Sequence, residues 1–233
     1  NSLAFFITLF EYLRNLNKEY IEIQKYAFRK YKIKTVENKH THLVPEELEQ
    51  LERLSLTDKH MKLQKSLDAF LFCCYAGMRY SDFTNLSKKN IVDINQETWL
   101  IYKSVKTGTE VRLPLYLLFA GKGIVILNKY RNNLEDFFRL RDNSNINKDL
   151  IIIAKLAGLS KKISFHTARH TNATLLIYNG VNITTVQKLL GHKSVKTTQV
   201  YTNIMDMTIV HDLEKIKQAA LGIKKKTDNS FNK

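Results

Sequence analysis

Cysteine is nearly absent from this chain of 233 residues: Cys73 and Cys74 are the only two, adjacent within an apolar helical run where neighbouring side chains point apart. No disulfide framework follows, and a reducing, cytoplasmic compartment is expected. Long apolar runs are missing as well. The stretch Leu3-Ala4-Phe5-Phe6-Ile7-Thr8-Leu9-Phe10 is too short to span a bilayer and has no basic leader, so it reads as buried helix extended by Leu13 and Leu16. Acidic side chains are scarce: 22 Asp+Glu against 37 Lys+Arg leave a formal charge of +15 and a pI near 9.7. That excess points to a polyanionic partner. An anionic membrane would call for a basic amphipathic helix with a lipid-facing aromatic stripe, and none stands out. Nucleic acid is the expected partner. With 44% hydrophobic and 25% charged residues, the length suits one substantial core, or one core and a small appendage.

Helix-type spacing runs from about Ser2 to Tyr31, and the polar, basic stretch Lys32 to His42 marks a domain boundary. Residues 1–40 and 41–233 are thus expected to form separate parts. Because the sequence opens on Asn1 and goes straight into an apolar helix, it reads as a fragment with an N-terminal portion preceding it. Pro45-Glu46-Glu47 starts a helix, with proline in the first turn and carboxylates at the positive end of the dipole. A second helix spans about Lys62 to Ala76 and stops at Gly77, leaving Arg79 just past a rigid helix end. One hairpin is evident, Thr98 to Lys103 and Val111 to Pro114 around Thr107-Gly108. The rest reads helical: Ile124 to Arg139, Lys148 to Ala157, Phe165 to Asn179, Ile183 to Leu190, a helix capped by Ser194 and approaching Tyr201, and Met207 to Ala220 before the basic tail Lys224-Lys225-Lys226. The fold class is mainly α with a small antiparallel sheet (α+β), without internal repeats.

The chemistry gathers late in the chain. His166, Arg169 and His170 share one helical face, and Tyr201 follows nine residues after His192. Histidines at i and i+4 can bind zinc, but the glutamate of H-E-x-x-H is missing, Arg169 would set a fixed charge beside the metal, and no third ligand is obvious. His192 follows Gly191 at an expected helix C-terminus, where the dipole favours a protonated ring. Lys106 sits at the hairpin tip, with Lys103 as its rival on the first strand. Asp82, one turn or less beyond Arg79, can orient an arginine or cap the short helix near Ser81, and capping is the preferred reading.

Cleaving a phosphodiester without hydrolysis requires a nucleophile, charge compensation on two non-bridging oxygens, and a proton for the departing sugar oxygen. Arg79 and Arg169 meet the second need as a bidentate clamp. Positive charge around Tyr201 should lower its phenol pKa and activate it. His166 and His192 can donate to the transition state, and Lys106 can protonate the 5′ oxygen. The product, a 3′-phosphotyrosyl link, keeps the energy of the ester, so neither a metal ion nor ATP is needed and no cofactor is expected.

At these positions the chain resembles the tyrosine recombinase, or phage integrase, family, in a layout like the integrases of conjugative and mobilisable elements. The resemblance spans about Leu43 to His211 and rests on His166-Thr167-Ala168-Arg169-His170-Thr171 and on Leu189-Leu190-Gly191-His192 with Tyr201 after it, supported by the arginine box around Arg79. It implies the catalytic set Arg79, Lys106, His166, Arg169, His192 and Tyr201. It further implies a mostly helical catalytic domain whose small sheet carries the lysine, and an N-terminal domain that completes a clamp on double-stranded DNA. Assembly on DNA as a tetramer, exchange of the last helix between protomers and accessory DNA-bending proteins belong to the same expectation. Asn172 stands where a bulky apolar residue is common, which should loosen local packing, and Asp82 replaces a frequent glutamate. Two alternatives stay open: relaxation of DNA by a type IB topoisomerase, and a DNA-binding module whose tyrosine and histidines only pack.

Overall fold

A computed structural model of the chain describes Tyr12 and residues 41–201. The chain divides into a unit over residues 1–39 and a unit over residues 40–233. The helix expected over 2–31, the linker up to residue 40, the helix over 207–220 and the basic tail lie outside the described residues.

Helix α1 (Pro45–Glu52) starts on its proline, and the Glu47 carboxylate accepts the Val44 N–H at 2.9 Å. A 3₁₀ stretch, Asp58–Leu63, leads into α2 (Gln64–Ala76), so the helix expected from Lys62 begins two residues later. Helix α2 is buried on every side from Ser66 to Ala76, which makes it the axis of the core. Phe72 and Phe83 meet Phe137, Phe138 and Phe165 in edge-on and tilted contacts. Each such ring contributes on the order of 1.5–3 kcal/mol by burial.

After α3 (Tyr80–Thr84) comes a three-stranded antiparallel sheet in the order β1 (Ile91–Ile94), β2 (Glu97–Lys103), β3 (Glu110–Pro114). Strand β1 was not expected, because its turn to β2 carries no glycine: Asn95 and Gln96 both take positive φ, 54° and 66°, in a two-residue connection. Asparagine tolerates that conformation and glutamine rarely does, so the turn leaves little trace in the residue types.

The helix expected from Ile124 to Arg139 is two helices, α4 (Lys122–Lys129) and α5 (Leu134–Phe138). The break lets Tyr130 stack on Phe137 at 4.1 Å and donate to the buried Asp68 at 2.8 Å. Helix α6 (Asn143–Leu156) starts five residues earlier than expected, because the Asp142 side chain caps it by accepting the Asn145 N–H at 3.1 Å. Helices α7 (Phe165–Tyr178), α8 (Ile183–Leu190) and the short α9 (Val195–Gln199) follow as the spacing predicts, and the Ser194 hydroxyl caps α9. Cys73 and Cys74 are free thiols in the core. No helix among the described residues is long and apolar enough to cross a membrane.

Candidate active site

Gly77 ends α2 in the left-handed conformation, φ 67°, where a Cβ would fall 2.6 Å from the Asn172 side-chain oxygen. Two residues on, Arg79 sits in extended backbone at the start of α3. Its Nη1 donates to Ser104 Oγ at 3.2 Å and meets the Asp82 carboxylate at 3.4 Å. Of the two expectations for Asp82, the helix cap fails and the orienting of an arginine holds. Its buried carboxylate accepts from Ser104 Oγ and, at 2.8 Å, from the Val105 N–H, so one group anchors both Arg79 and the base of the β2–β3 turn.

That turn is closed by Ser104 N–H on the Thr109 carbonyl, 2.9 Å, and Gly108 N–H on the Ser104 carbonyl, 2.8 Å. Lys106 rides exposed on it, and its charge reaches the His192 ring. Lys103, also exposed, pairs across the sheet with Glu110 at the end of β2.

Helix α7 supplies the densest part of the site. Arg169 is 1% exposed, with Nη1 donating to the Gly77 carbonyl at 2.7 Å and Nη2 to the Leu190 carbonyl at 2.6 Å. Both carbonyls stand at helix C-termini, the negative ends of α2 and α8, which is how a buried guanidinium is tolerated here. Burial, and then the neighbouring Arg79, bring its pKa down to about 10, so it stays charged at neutral pH. Three donors of its fork are left over by these two bonds.

One turn further, Asn172 corrects the expectation of loosened packing. It is buried, and its amide donates to the Cys74 and Tyr75 carbonyls at 2.9 and 3.0 Å, satisfying acceptors that the end of α2 would otherwise leave open. An apolar side chain could not make those bonds.

His166 lies exposed in the first turn of α7, its ring edge-on to that of His170 at 4.4 Å. His192 follows Gly191, which closes α8 at φ 63°; a Cβ there would lie 2.6 Å from Val111 Cγ2. The helix-end position is as expected and the charge is not. The ring is 8% exposed and shares a hydrogen bond through Nδ1 with Thr198 Oγ1, 2.9 Å. Burial first, then Arg169, Arg79, Lys106 and His166, push its pKa down to about 4, so it is neutral at physiological pH.

Tyr201, just beyond α9, is 4% exposed, and its Oη shares a 3.0 Å hydrogen bond with His170 Nδ1. Its pKa is raised: burial outweighs the lowering by Arg169 and Arg79, opposite to the expected fall. Positive charge alone does not ionise this phenol.

The electrostatic partners define the grouping. Arg79 and Arg169 act on Tyr201, and those two with Lys106 and His166 act on His192, so the six residues singled out in the sequence converge on one place. Sequence reasoning passed over His170 as a site residue and undervalued Asp82. The i, i+4 spacing from His166 was the available signal for the first; nothing near Asp82 announced its reach to a turn 22 residues away. Among the described residues no group of three or more His, Cys, Asp or Glu side chains is placed to hold a metal ion. The arrangement can bind a phosphate between two guanidinium groups and present to it a phenol, two imidazoles and a lysine.

Comparison with known proteins agrees with this geometry. The model of the phage integrase family matches residues 41–207. A tyrosine recombinase of Pseudothermotoga lettingae is 30% identical over 181 residues, 76% of this chain and 60% of that protein. The tyrosine recombinase XerD of Bifidobacterium longum is 50% identical over 171 residues, 66% of this chain and 54% of the relative. Among solved structures, the XerA recombinase aligns with TM-score 0.59 and 26% identity, over 76% of this chain and 65% of that one. A lambda integrase dimer bound to a COC′ core site aligns with TM-score 0.64 and 19% identity, over 83% and 70%. The chain spans roughly half to three-fifths of the length of such curated relatives. With its core, its sheet and its arginine-flanked tyrosine all inside the matched span, the chain belongs to the phage integrase family of tyrosine recombinases.

Proposed function

We propose that this chain is the catalytic part of a site-specific DNA recombinase or integrase, which cuts one strand of double-stranded DNA with Tyr201 and rejoins it through a 3′-phosphotyrosyl link. The observation that carries the reading is the phenol of Tyr201 lying within the field of both Arg79 and Arg169. Those guanidinium groups take the non-bridging oxygens of the scissile phosphate, and Arg169 has donors to spare after its two carbonyl bonds. His166 and His192 donate to the developing charge. Donation to the phosphate uses the tautomer in which the Thr198 hydroxyl donates to Nδ1 and the proton of a neutral His192 sits on Nε2. Lys106, on its exposed turn, gives a proton to the departing 5′ oxygen. Loss of any one such donor costs about 10²–10³ in rate.

The surplus of positive charge suits the DNA backbone. Recombinases of this fold have been solved on DNA as a dimer and as a tetramer on a Holliday junction, so a tetrameric synapse is the assembly we assign. Residues 1–40 would complete the clamp around DNA and Met207 to Ala220 would dock on a neighbouring protomer. Accessory DNA-bending proteins and work on nucleoid DNA in the bacterial cytoplasm complete the reading.

The test is a nicked oligonucleotide carrying the recognised site, incubated with the protein in EDTA and run on a denaturing gel. An SDS-resistant adduct is expected with the wild type and not with Tyr201→Phe, while both bind DNA alike. An adduct that persists in the variant would name another nucleophile. Binding without any adduct would leave a DNA-binding module, and relaxation of supercoils without paired sites a topoisomerase.

A further inference from the structure

The proposed reaction needs a destination for the proton on Tyr201 Oη. The phenol is buried, and its pKa is raised rather than lowered, so it reaches the phosphate in its neutral form. A base must therefore accept the proton as the oxygen attacks. Arg79 and Arg169 are cations, and Lys106 is needed as an acid. His192 is a poor acceptor: its pKa lies near 4, and its Nδ1 is already bonded to Thr198. His170 is differently placed. Its Nδ1 lies 3.0 Å from Oη, inside the range over which a general base takes a proton, and its ring is 7% exposed. Its ring also meets that of His166 edge-on at 4.4 Å, and His166 lies at the surface. The phenol thus has a base beside it and a second imidazole beyond.

We infer that His170 is a further catalytic residue, the general base that takes the phenol proton of Tyr201 at Nδ1; this rests on Tyr201 being the nucleophile. The step requires a neutral imidazole with its proton on Nε2. As the Oη–phosphorus bond forms, the Oη–H proton moves to Nδ1 and His170 becomes an imidazolium. The bond from phosphorus to the 5′ oxygen breaks, and that oxygen takes a proton from the Lys106 ammonium. Rejoining returns both protons by the same route.

Single-turnover cleavage of a nicked oligonucleotide tests the assignment. Wild type against Tyr201→Phe comes first: without an adduct that depends on the phenol, the nucleophile assignment fails and the base fails with it. Where that contrast holds, His170→Ala and His170→Asn are each expected to cleave about 10²–10⁴-fold more slowly with unchanged DNA affinity. Asparagine can keep a hydrogen bond to Oη and cannot accept its proton, so wild-type cleavage by His170→Asn would reduce His170 to a positioning group and overturn the proposal. Added imidazole should restore His170→Ala. A substrate with sulfur at the 5′ bridging position, whose leaving group needs no proton, should rescue Lys106→Ala and neither His170 variant; equal rescue would count against the base. Should both variants misfold, nitrogen-15 chemical shifts of His170 in the wild type still decide, since a proton found on Nδ1 rather than Nε2 would exclude the step.

Discussion

Thr107 Oγ1 donates to the Gly191 carbonyl at 3.1 Å, and this one bond ties the turn carrying Lys106 to the helix end carrying His192. Thr107 and Gly191 are 84 apart in sequence, so the acid and the donor proposed above share a mechanical link. Thr107→Val keeps the shape and removes the donor. Stability should fall by only about 0.5–1.5 kcal/mol, while cleavage falls by up to about 10² as the lysine loses register. Urea midpoints beside single-turnover rates check this; matching small losses in both would mean the turn holds without the bond.

Gly191 leaves no free room for a side chain. A Cβ would meet Val111 Cγ2 at 2.6 Å, on a backbone already at φ 63°. Gly191→Ala should cost about 1–2 kcal/mol from the left-handed conformation, with the collision added. Trimming the neighbour in Gly191→Ala/Val111→Ala should recover the collision part alone. A double-mutant cycle from thermal or urea unfolding measures that coupling, and strict additivity would show that β3 simply moves away.

Asp82→Asn should leave DNA affinity intact and slow cleavage by up to about 10², since Arg79 and the base of the lysine turn lose a common acceptor. Had the side chain been a helix cap, the loss would appear in stability, at about 1 kcal/mol, with catalysis spared. Unfolding and cleavage measured on the same preparations separate the two.

His192 makes stability depend on pH. Its pKa is about 4 in the folded chain against an ordinary value of 6.5, so below the ordinary value the unfolded state binds more protons. Stability from this group is therefore full above about pH 6.5 and is lost as pH falls toward 4, by up to about 3 kcal/mol. Urea midpoints at pH 5 and pH 7 should differ more in the wild type than in His192→Asn; an identical pH response would mean that the ring titrates normally. A bound DNA phosphate should raise the same pKa, visible as a shifted imidazole titration.

Asn172→Leu should destabilise this chain by about 1–3 kcal/mol. The Cys74 and Tyr75 carbonyls would lose their amide partner in a buried place. Chemical unfolding settles the sign, and a more stable variant would show that the end of α2 finds other donors.

Local chemistry settled much of this protein in advance. The left-handed glycines that end α2 and α8, the Ser194 cap and the spacing of His166, Arg169, His192 and Tyr201 are properties of short stretches, so the helix ends and the candidate site residues could be read from the sequence. Strand β1 and the break after α4 escaped because an Asn-Gln turn and an Asn-rich connection carry weak signals, and packing of Tyr130 and Phe137 decided the break. Charge state was beyond sequence altogether. Whether His192 is protonated, whether the Tyr201 phenol is ionised and what Asp82 holds depend on burial and on groups brought together from distant positions. The residue types pointed to a candidate phosphate site around a tyrosine; desolvation in the folded core set the protonation states of His192 and Tyr201 there.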